Sequence, residues 1–385
     1  MSNTREFFKE KRDWSIFKDD LLKNYLIPYF AKLLATRRDI IFIDGFAGKG
    51  KFEDGTNGSP LIVKDAIYTA LSQTKYATRI HPYFIDYLYA NELKKNLQDK
   101  SMSVVAGDYR IEVPKILSGA HNKNIFLYVD PFGIIYLDFS IFTNLPSAQA
   151  NSYELLLNLN SFGFIREGCR LMKYQFDEDD DLPDYEYEAD TSKNSIENMN
   201  KVANGDYWQK IIADYNAGKH NIFTAEDLFL EEYIKQLKRV FCYVFQVPIK
   251  KGGGRLAKYR MIFASNHPHG ALLMVDNMVK CNNNIQEAAH GQQLWLFDYD
   301  YERQNCFTDL FPFITNNFQD LTDLYIRFYE NTGIKYYTKD LNATVKKMEQ
   351  ENLIEIVRFP SQTPKGRHVT SLDYTKYKIL IRKKK

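Results

Sequence analysis

Residues 40–50 read Ile-Ile-Phe-Ile-Asp-Gly-Phe-Ala-Gly-Lys-Gly. An unbroken apolar run closing on Asp44 and entering a glycine-rich turn is the pattern of a parallel strand buried on both faces. Similar runs follow: Tyr83–Ile85 ends in Asp86, Val104–Val105 leads to Gly107-Asp108, Ile125–Val129 ends in Asp130, and Leu155–Leu159 ends in Asn160. Helix-compatible stretches lie between them, at 59–72, 91–97 and 111–117. Strands alternating with helices, each strand closing on a polar residue, predict a doubly wound, Rossmann-like α/β sheet with its ligand across the carboxyl ends of the strands. A helix at 225–240, then strands at 241–247 and 259–265 around Lys-Lys-Gly-Gly-Gly-Arg, predict an antiparallel hairpin closing the same sheet.

The turn after Asp44 has competing chemical readings. Gly45-x4-Gly50-Lys51 comes near a phosphate-binding loop, but that loop places Ser or Thr next, for magnesium, and Phe52 stands there. A dinucleotide GxGxxG is absent too, because the glycines fall at 45, 48 and 50. The remaining reading is an S-adenosylmethionine turn. Gly45, Phe46, Ala47, Gly48 and Gly50 then let the backbone pass close to the methionine part, and Asp44 holds its amino group. Asp86 is expected at the ribose hydroxyls and Asp108 at the adenine amine. Taken singly, each of these residues also reads as a loop residue or helix cap; their order along successive strands is the argument.

Asp130-Pro131-Phe132-Gly133 follows the fourth strand. Methyltransferases that modify exocyclic base amines place an Asp/Asn-Pro-Pro-aromatic turn there. A nucleobase amine is a poor nucleophile, since its lone pair is delocalised into the ring. Hydrogen bonds to the Asp130 carboxylate and the Pro131 carbonyl would favour its pyramidal form, and Phe132 would stack on the base. The second proline is missing here, and the Asp-Pro-Phe-Gly version resembles the turn of tRNA guanine N2-dimethyltransferases. The same residues also read as a plain strand-ending turn with Phe132 in the core.

The chain's 385 residues carry 51 Lys+Arg against 49 Asp+Glu, which excludes a uniformly basic coat protein. The 27 Phe, 27 Tyr and 3 Trp are ample for a core. The charge is unevenly spread. Residues 177–190 hold nine acidic residues and no basic one, reading as a solvated loop inside an insert near 170–220. Residues 311–385 hold 14 basic and 8 acidic residues, a net of +6. In that region Leu321–Tyr329 reads as a helix. Thr338 is placed to cap another, with Leu341, Val345 and Met348 on one face and Lys339, Asn342, Lys346 and Lys347 on the other. Strands at 354–359 and 377–381 flank a loop with Lys365, Arg367 and His368. The order predicts a C-terminal winged-helix domain that contacts nucleic acid or serves packing. The expected domains are a Rossmann-like unit over 1–280, a connector over 281–310 and the winged helix over 311–385.

No stretch reaches the ~20 apolar residues of a membrane span and no signal core opens the chain, so a cytoplasmic protein without membrane contact is expected. Cys169, Cys242, Cys281 and Cys306 are scattered without CxxC spacing and read as buried free thiols. His267 and His269 have no Cys or acidic cluster beside them, so no metal is expected.

With these motifs in place, the chain resembles the three-Cys-motif partner protein (TcmP) family of bacteria and phages. The landmarks extend over 14–280: Trp14 with Lys18 and Tyr25, FIDGFAGKG at 42–50, Gly58-Ser-Pro-Leu61, Gly107-Asp108, Val129-Asp-Pro-Phe-Gly133, Leu157-Asn158, Arg166, and Tyr259–Asn266. The resemblance implies a methyltransferase-like protein paired with a radical-SAM-like protein bearing three cysteines. It adds Lys18 to the cofactor-side residues and Arg166 to the nucleic-acid-side ones, as cations that orient Asp130 or meet a phosphate. Two functions follow: an S-adenosylmethionine-dependent methyltransferase acting on an exocyclic amine in DNA or RNA, or a non-catalytic module of the same fold that recruits its partner to nucleic acid.

Overall fold

The computed structural model describes residues 11, 13–74, 78–176, 194–250, 257–290 and 306–384. The acidic run 177–190 and most of the 250–255 turn lie outside these residues. The chain divides into two compact units, 1–266 and 267–385, so the division comes before the helix at 268 rather than after 280.

The first unit runs α1 Asp13–Leu34, β1 Ile40–Asp44, α2 Ser59–Ser72, β2 Ile80–Asp86, α3 Ala90–Leu97, β3 Ser103–Ala106, α4 Tyr109–Leu117, β4 Asn124–Val129, α5 Ser140–Thr143, β5 Ser152–Leu159, α6 Ser161–Met172, α7 Ile196–Ala203, α8 Tyr207–Asn216, α9 Ile222–Leu237, β6 Tyr243–Lys250 and β7 Ala257–Ser265. The seven strands form one sheet in the order β3-β2-β1-β4-β5-β7-β6. The first five are mutually parallel; β7 runs antiparallel to both β5 and β6. This is the doubly wound, Rossmann-like sheet that the strand pattern predicts, closed by the expected hairpin.

β1 and β4 are buried at every residue, as runs of Ile, Phe, Leu, Tyr and Val demand when both sheet faces are covered. On one face Phe42 stacks on Phe126 at 5.7 Å between ring centroids, and Tyr25 and Tyr29 of α1 close over Phe126. On the other face Leu127, Val129, Leu155 and Leu157 pack with α6 and the helices after it. The chain leaves β1 toward β2 on one side and reaches β4 on the other, so the topological switch point falls between β1 and β4.

Two helices lie within 170–220, where the charge pattern reads as an acidic insert. α7 and α8 bury Met199, Val202, Trp208 and Ile212 in the main core. At 8 and 10 residues each is too short to give a clear periodic signal. The four cysteines are free, but Cys242 is exposed rather than buried.

The second unit contains α10 Pro268–His290, a helical turn at 306–310, β8 Gln319–Asp320, α11 Leu321–Thr332, α12 Thr338–Gln350, β9 Ile354–Phe359 and β10 Lys378–Lys383. Its three strands are antiparallel in the order β8-β10-β9. The expected helix, helix, strand, loop, strand sequence is present, with β8 added as an edge. Leu341, Val345 and Met348 are buried as expected. Thr338 is not the cap of α12. Tyr337 holds that position, its N–H donating to Asp340, while the Thr338 N–H and hydroxyl both donate to Asp276 of α10. Asn342 is half-buried and accepts from the Tyr325 hydroxyl, so it does not belong to the solvent face.

The contact between α6 and α8 has no spare room at Gly168, where a Cβ would lie 2.2 Å from Ile212 Cδ1 and 2.9 Å from the Trp208 ring. Gly168→Ala should destabilise this unit by about 1–3 kcal/mol. Chemical denaturation followed by Trp fluorescence would show it as a lowered midpoint, and an unchanged midpoint would contradict the packing described.

Candidate functional site

Five parallel strands deliver their carboxyl ends to one edge, and the two that flank the switch point end in Asp44 and, one residue beyond β4, Asp130. Asp44 has no solvent exposure. Its carboxylate accepts from the Ser59 hydroxyl at 2.7 Å, where α2 begins, and from the Phe46 N–H at 3.1 Å. Burial pushes its pKa up to about 7, the Ser59 and Phe46 hydrogen bonds oppose the rise, and the nearby Asp130 and Asp86 charges add to it.

The glycine-rich turn is anchored inward. The N–H groups of Gly45 and Ala47 donate to the carbonyls of Tyr128 and Ile85, that of Phe46 to Asp44, and that of Gly48 to Asp86 at 2.9 Å. Four successive N–H groups are thus engaged by strand ends and carboxylates and none of them is left to cradle a phosphate, which adds to the missing hydroxyl at Phe52 against a phosphate loop. Gly48 and Gly50 sit at φ of +60° and +75°, a region that side chains disfavour, and a Cβ on Gly50 would lie 2.7 Å from Leu93. Ala47 is buried; Phe46 is half-buried against Tyr109, ring centroids 4.7 Å apart.

Asp86 ends β2 and also accepts the N–H groups of Leu88 and Tyr89, so it organises the turn after its own strand as well as the one after β1. Asp108 caps α4 by accepting the Arg110 N–H at 2.9 Å, and the Arg110 guanidinium grips both of its oxygens. The Arg110 hydrogen bond holds its pKa below the usual carboxylate range. An adenine amine at Asp108 would share that carboxylate with Arg110.

Asp130 is held from three sides. Lys18 of α1 forms an ion pair with it at 2.8 Å, the Tyr128 hydroxyl donates at 3.2 Å, and Asn158 Nδ2 donates from β5 at 2.6 Å. Lys18 is 8% exposed and lies 5.1 Å over the Tyr259 ring. Burial works against its charge, yet Asp130 and Tyr259 leave its pKa raised. The structure therefore places Lys18 on the Asp-Pro-Phe-Gly turn rather than on the glycine-rich one. Next to it Asp19 is drawn up to about 6 by burial, against the pull of Lys11. Since Nδ2 is committed to Asp130, Asn158 turns its Oδ1 away; that oxygen is buried with no hydrogen-bond partner among the described residues. Pro131, Phe132 and Gly133 are half-buried just beyond β4, and Arg166 is half-buried on α6.

Tyr128, Asn158, Ser59 and Tyr259 contact Asp130, Asp44 or Lys18, and the reading of single motifs does not assign them to these carboxylates. The signal for Asn158 is a polar residue inside Leu155-Leu-Leu-Asn-Leu159, where a doubly buried strand tolerates one only if it is bonded. Lys339, Lys346, Lys347, Lys365 and Arg367 are exposed on the second unit. Among the described residues no group of three or more His, Cys, Asp or Glu could hold a metal ion, and no helix is long and apolar enough to cross a membrane.

No protein-family model and no curated protein matches the chain. Among solved structures, the chain is similar to the plantazolicin methyltransferase BamL, solved with a triazolic desmethylPZN analog and SAH, at 11% identity and a TM-score of 0.33 over 69% of this chain and 90% of that one. It is also similar to loganic acid methyltransferase solved with SAH, at 9% identity and a TM-score of 0.26 over 85% and 95%. Likenesses this distant carry no argument about the reaction, for which the geometry of the strand-end carboxylates is the ground.

A carboxylate whose pKa rises from 3.8 to about 7 on folding binds its proton more tightly in the folded state, so its cost appears as pH climbs through that interval. Asp44→Asn should therefore stabilise the protein, by on the order of a few kcal/mol at pH 8 and by much less near pH 4. Denaturation midpoints of both proteins across that range check the sign; a gain confined to low pH would refute it.

Proposed function

We propose that the protein is an S-adenosylmethionine-dependent methyltransferase that modifies an exocyclic amine of a nucleobase in DNA or RNA. The observation that carries this reading is the pairing of two carboxylates across the switch point: Asp44, buried beside the glycine-rich turn, and Asp130, fixed by Lys18, Tyr128 and Asn158 in an Asp-Pro-Phe-Gly turn. Asp44, whose pKa is raised by burial and by the Asp130 and Asp86 charges, suits a cationic ligand, which relieves both penalties.

The donor, when bound, supplies an electrophilic methyl on a positively charged sulfur. Asp44 would accept from its ammonium group and Asp86 from its ribose hydroxyls, each carboxylate keeping its present backbone bonds. Gly48 and Gly50 would leave room for it along the turn, and Asp108 with Arg110 would border the adenine. Asp130, acting with the Pro131 carbonyl, would accept from the target amine and turn its lone pair toward the methyl group. Lys18 keeps that carboxylate in one orientation, and Phe132 would stack on the base. Arg166 and the cations of the second unit, read as a winged helix, would meet phosphates. The resemblance to the TcmP family adds a three-Cys-motif protein as partner in the cytoplasm.

A second reading is favoured by the same ion pair. Asp130 is already engaged by three protein donors, as in a purely structural turn, and a non-catalytic module of this fold would recruit the partner protein to nucleic acid. The two readings separate on nucleoside mass spectrometry of DNA and RNA from cells expressing the protein with its partner. The enzyme predicts one methylated base that disappears with Asp130→Ala; the absence of any Asp130-dependent base favours the module.

Donor binding has its own signature. Calorimetric titration should give one site for S-adenosylmethionine, lost in Asp44→Ala. Because Asp44 must be ionised to hold the ammonium group, affinity should fall roughly tenfold per pH unit below about 7. A pH-independent affinity would remove Asp44 from the donor site.

A further inference from the structure

The proposed function does not specify which form of nucleic acid the second unit meets. Within that unit, α12 buries Leu341, Val345 and Met348 and turns Lys339, Ala343, Lys346, Lys347 and Gln350 to solvent. The stripe is about 16 Å long at helical rise, the length of a helix segment that a major groove accommodates. Immediately beyond β9 the chain forms a small hairpin. Gln362 bridges His368, the Thr363 N–H donates to the Arg367 carbonyl at 2.8 Å, and Gly366 turns at a φ of +73°. Lys365, Arg367 and His368 are exposed on it. Arg358, one residue before the end of β9, is clamped to Glu349 in the last turn of α12 by two hydrogen bonds of 2.8 Å. The root of the hairpin is thereby tied to the end of the helix that carries Lys346 and Lys347.

The charges of this region are sorted. Between residues 338 and 369 the acidic residues are Asp340, Glu349, Glu351 and Glu355. Asp340 accepts the Tyr337 N–H, Glu349 takes Arg358, and Glu355 takes Arg382, while Glu351 reaches only Lys347, at 3.9 Å. What faces outward along the stripe and the hairpin is cationic, with Glu351 the exposed acid at the end of the stripe, beside Lys347. The outward residues also lack the row of rings on which single-stranded bases stack: the helix stripe has none, and the hairpin has only Phe359 at its root, 51% exposed. A-form RNA hides its base edges in a major groove too narrow for a helix.

Building on the nucleic-acid reading, we infer that the outward face of α12 together with the 360–369 hairpin is a docking surface for duplex DNA. The helix lies in the major groove and the hairpin cations meet the adjoining phosphate backbone. The contact is dominated by phosphates, so it is strongly salt-dependent and needs neither donor nor methyl transfer.

Fluorescence anisotropy with the full chain, without S-adenosylmethionine, tests this using a 30-base-pair DNA duplex, one of its single strands, and an RNA duplex of the same sequence, between 50 and 200 mM NaCl. The DNA duplex should bind tightest, with log affinity falling against log salt at a slope of about −4 for four to five phosphate contacts. Lys346→Ala/Lys347→Ala and Lys365→Ala/Arg367→Ala should each weaken duplex binding about tenfold at 50 mM and flatten the slope by about 2. Lys210→Ala/Lys235→Ala, which removes exposed charges of the first unit, should leave it unchanged. Equal or tighter binding of single-stranded DNA or RNA, no binding of any probe, or alanine pairs that bind like the parent would overturn the inference. Because no methylation is read, a duplex that binds but is never methylated leaves the surface standing and counts only against the enzymatic reading.

Discussion

The pairing of β1 with β4 is the constraint on which the rest depends. The two strands run parallel in register from Ile40 opposite Asn124 to Asp44 opposite Tyr128, and both are sealed on their two faces by apolar side chains. A strand buried in this way can place a charged group only at its ends, where the sheet stops. The neighbours of β1 and β4 lie on opposite sides, so the loops after them diverge and leave a crevice flanked by Asp44 and Asp130. The position of the candidate site follows from how the core is packed.

The first helix links that core to the site. α1 lays Tyr25, Tyr29 and Phe30 against the sheet and carries Lys18 to Asp130. The same face hides Glu154, which accepts from the buried Tyr25 hydroxyl and from Ser265 at 3.3 Å. Burial pushes Glu154 up to about 7, against those two hydrogen bonds. The helix cannot tilt away without exposing the Lys18–Asp130 pair and breaking the Tyr25–Glu154 bond, so the geometry at Asp130 is coupled to the packing of α1. A largely buried ion pair costs desolvation that an apolar pair would not, and here the Tyr128 and Asn158 hydrogen bonds to Asp130 help offset it.

The two units divide the work differently. In the first, Asp44 at the end of β1, Asp19 of α1 and Glu154 of β5 are buried acids with raised pKa values. In the second, acids are spent on internal ties such as Glu349 with Arg358 and Glu355 with Arg382, while lysines on α12 and the hairpin face outward. The small formal charge of +2 averages over these opposed distributions, with residues 177–190 adding nine more acidic groups.

The succession of strands and helices, the glycine-rich turn and the carboxylates at the strand ends were legible from residue pattern, because period and burial dictate them locally. The apolar run before Asp44 admits only a doubly buried strand, and glycines 48 and 50 announce left-handed backbone before any partner is known. What surrounds those carboxylates was not legible. That Arg110 occupies Asp108, that Asn158 and Tyr128 bond Asp130, that Thr338 bonds Asp276 and that α7 and α8 join the core depend on which side chains meet once the chain is folded or on helices too short to show a period. The sequence by itself determined which groups are polar at the ends of buried strands, since hydrophobic burial is a local property of each segment. Only the tertiary structure decided which of them are paired and which keep a raised pKa, because desolvation and Coulomb energy are set by neighbours that folding brings together.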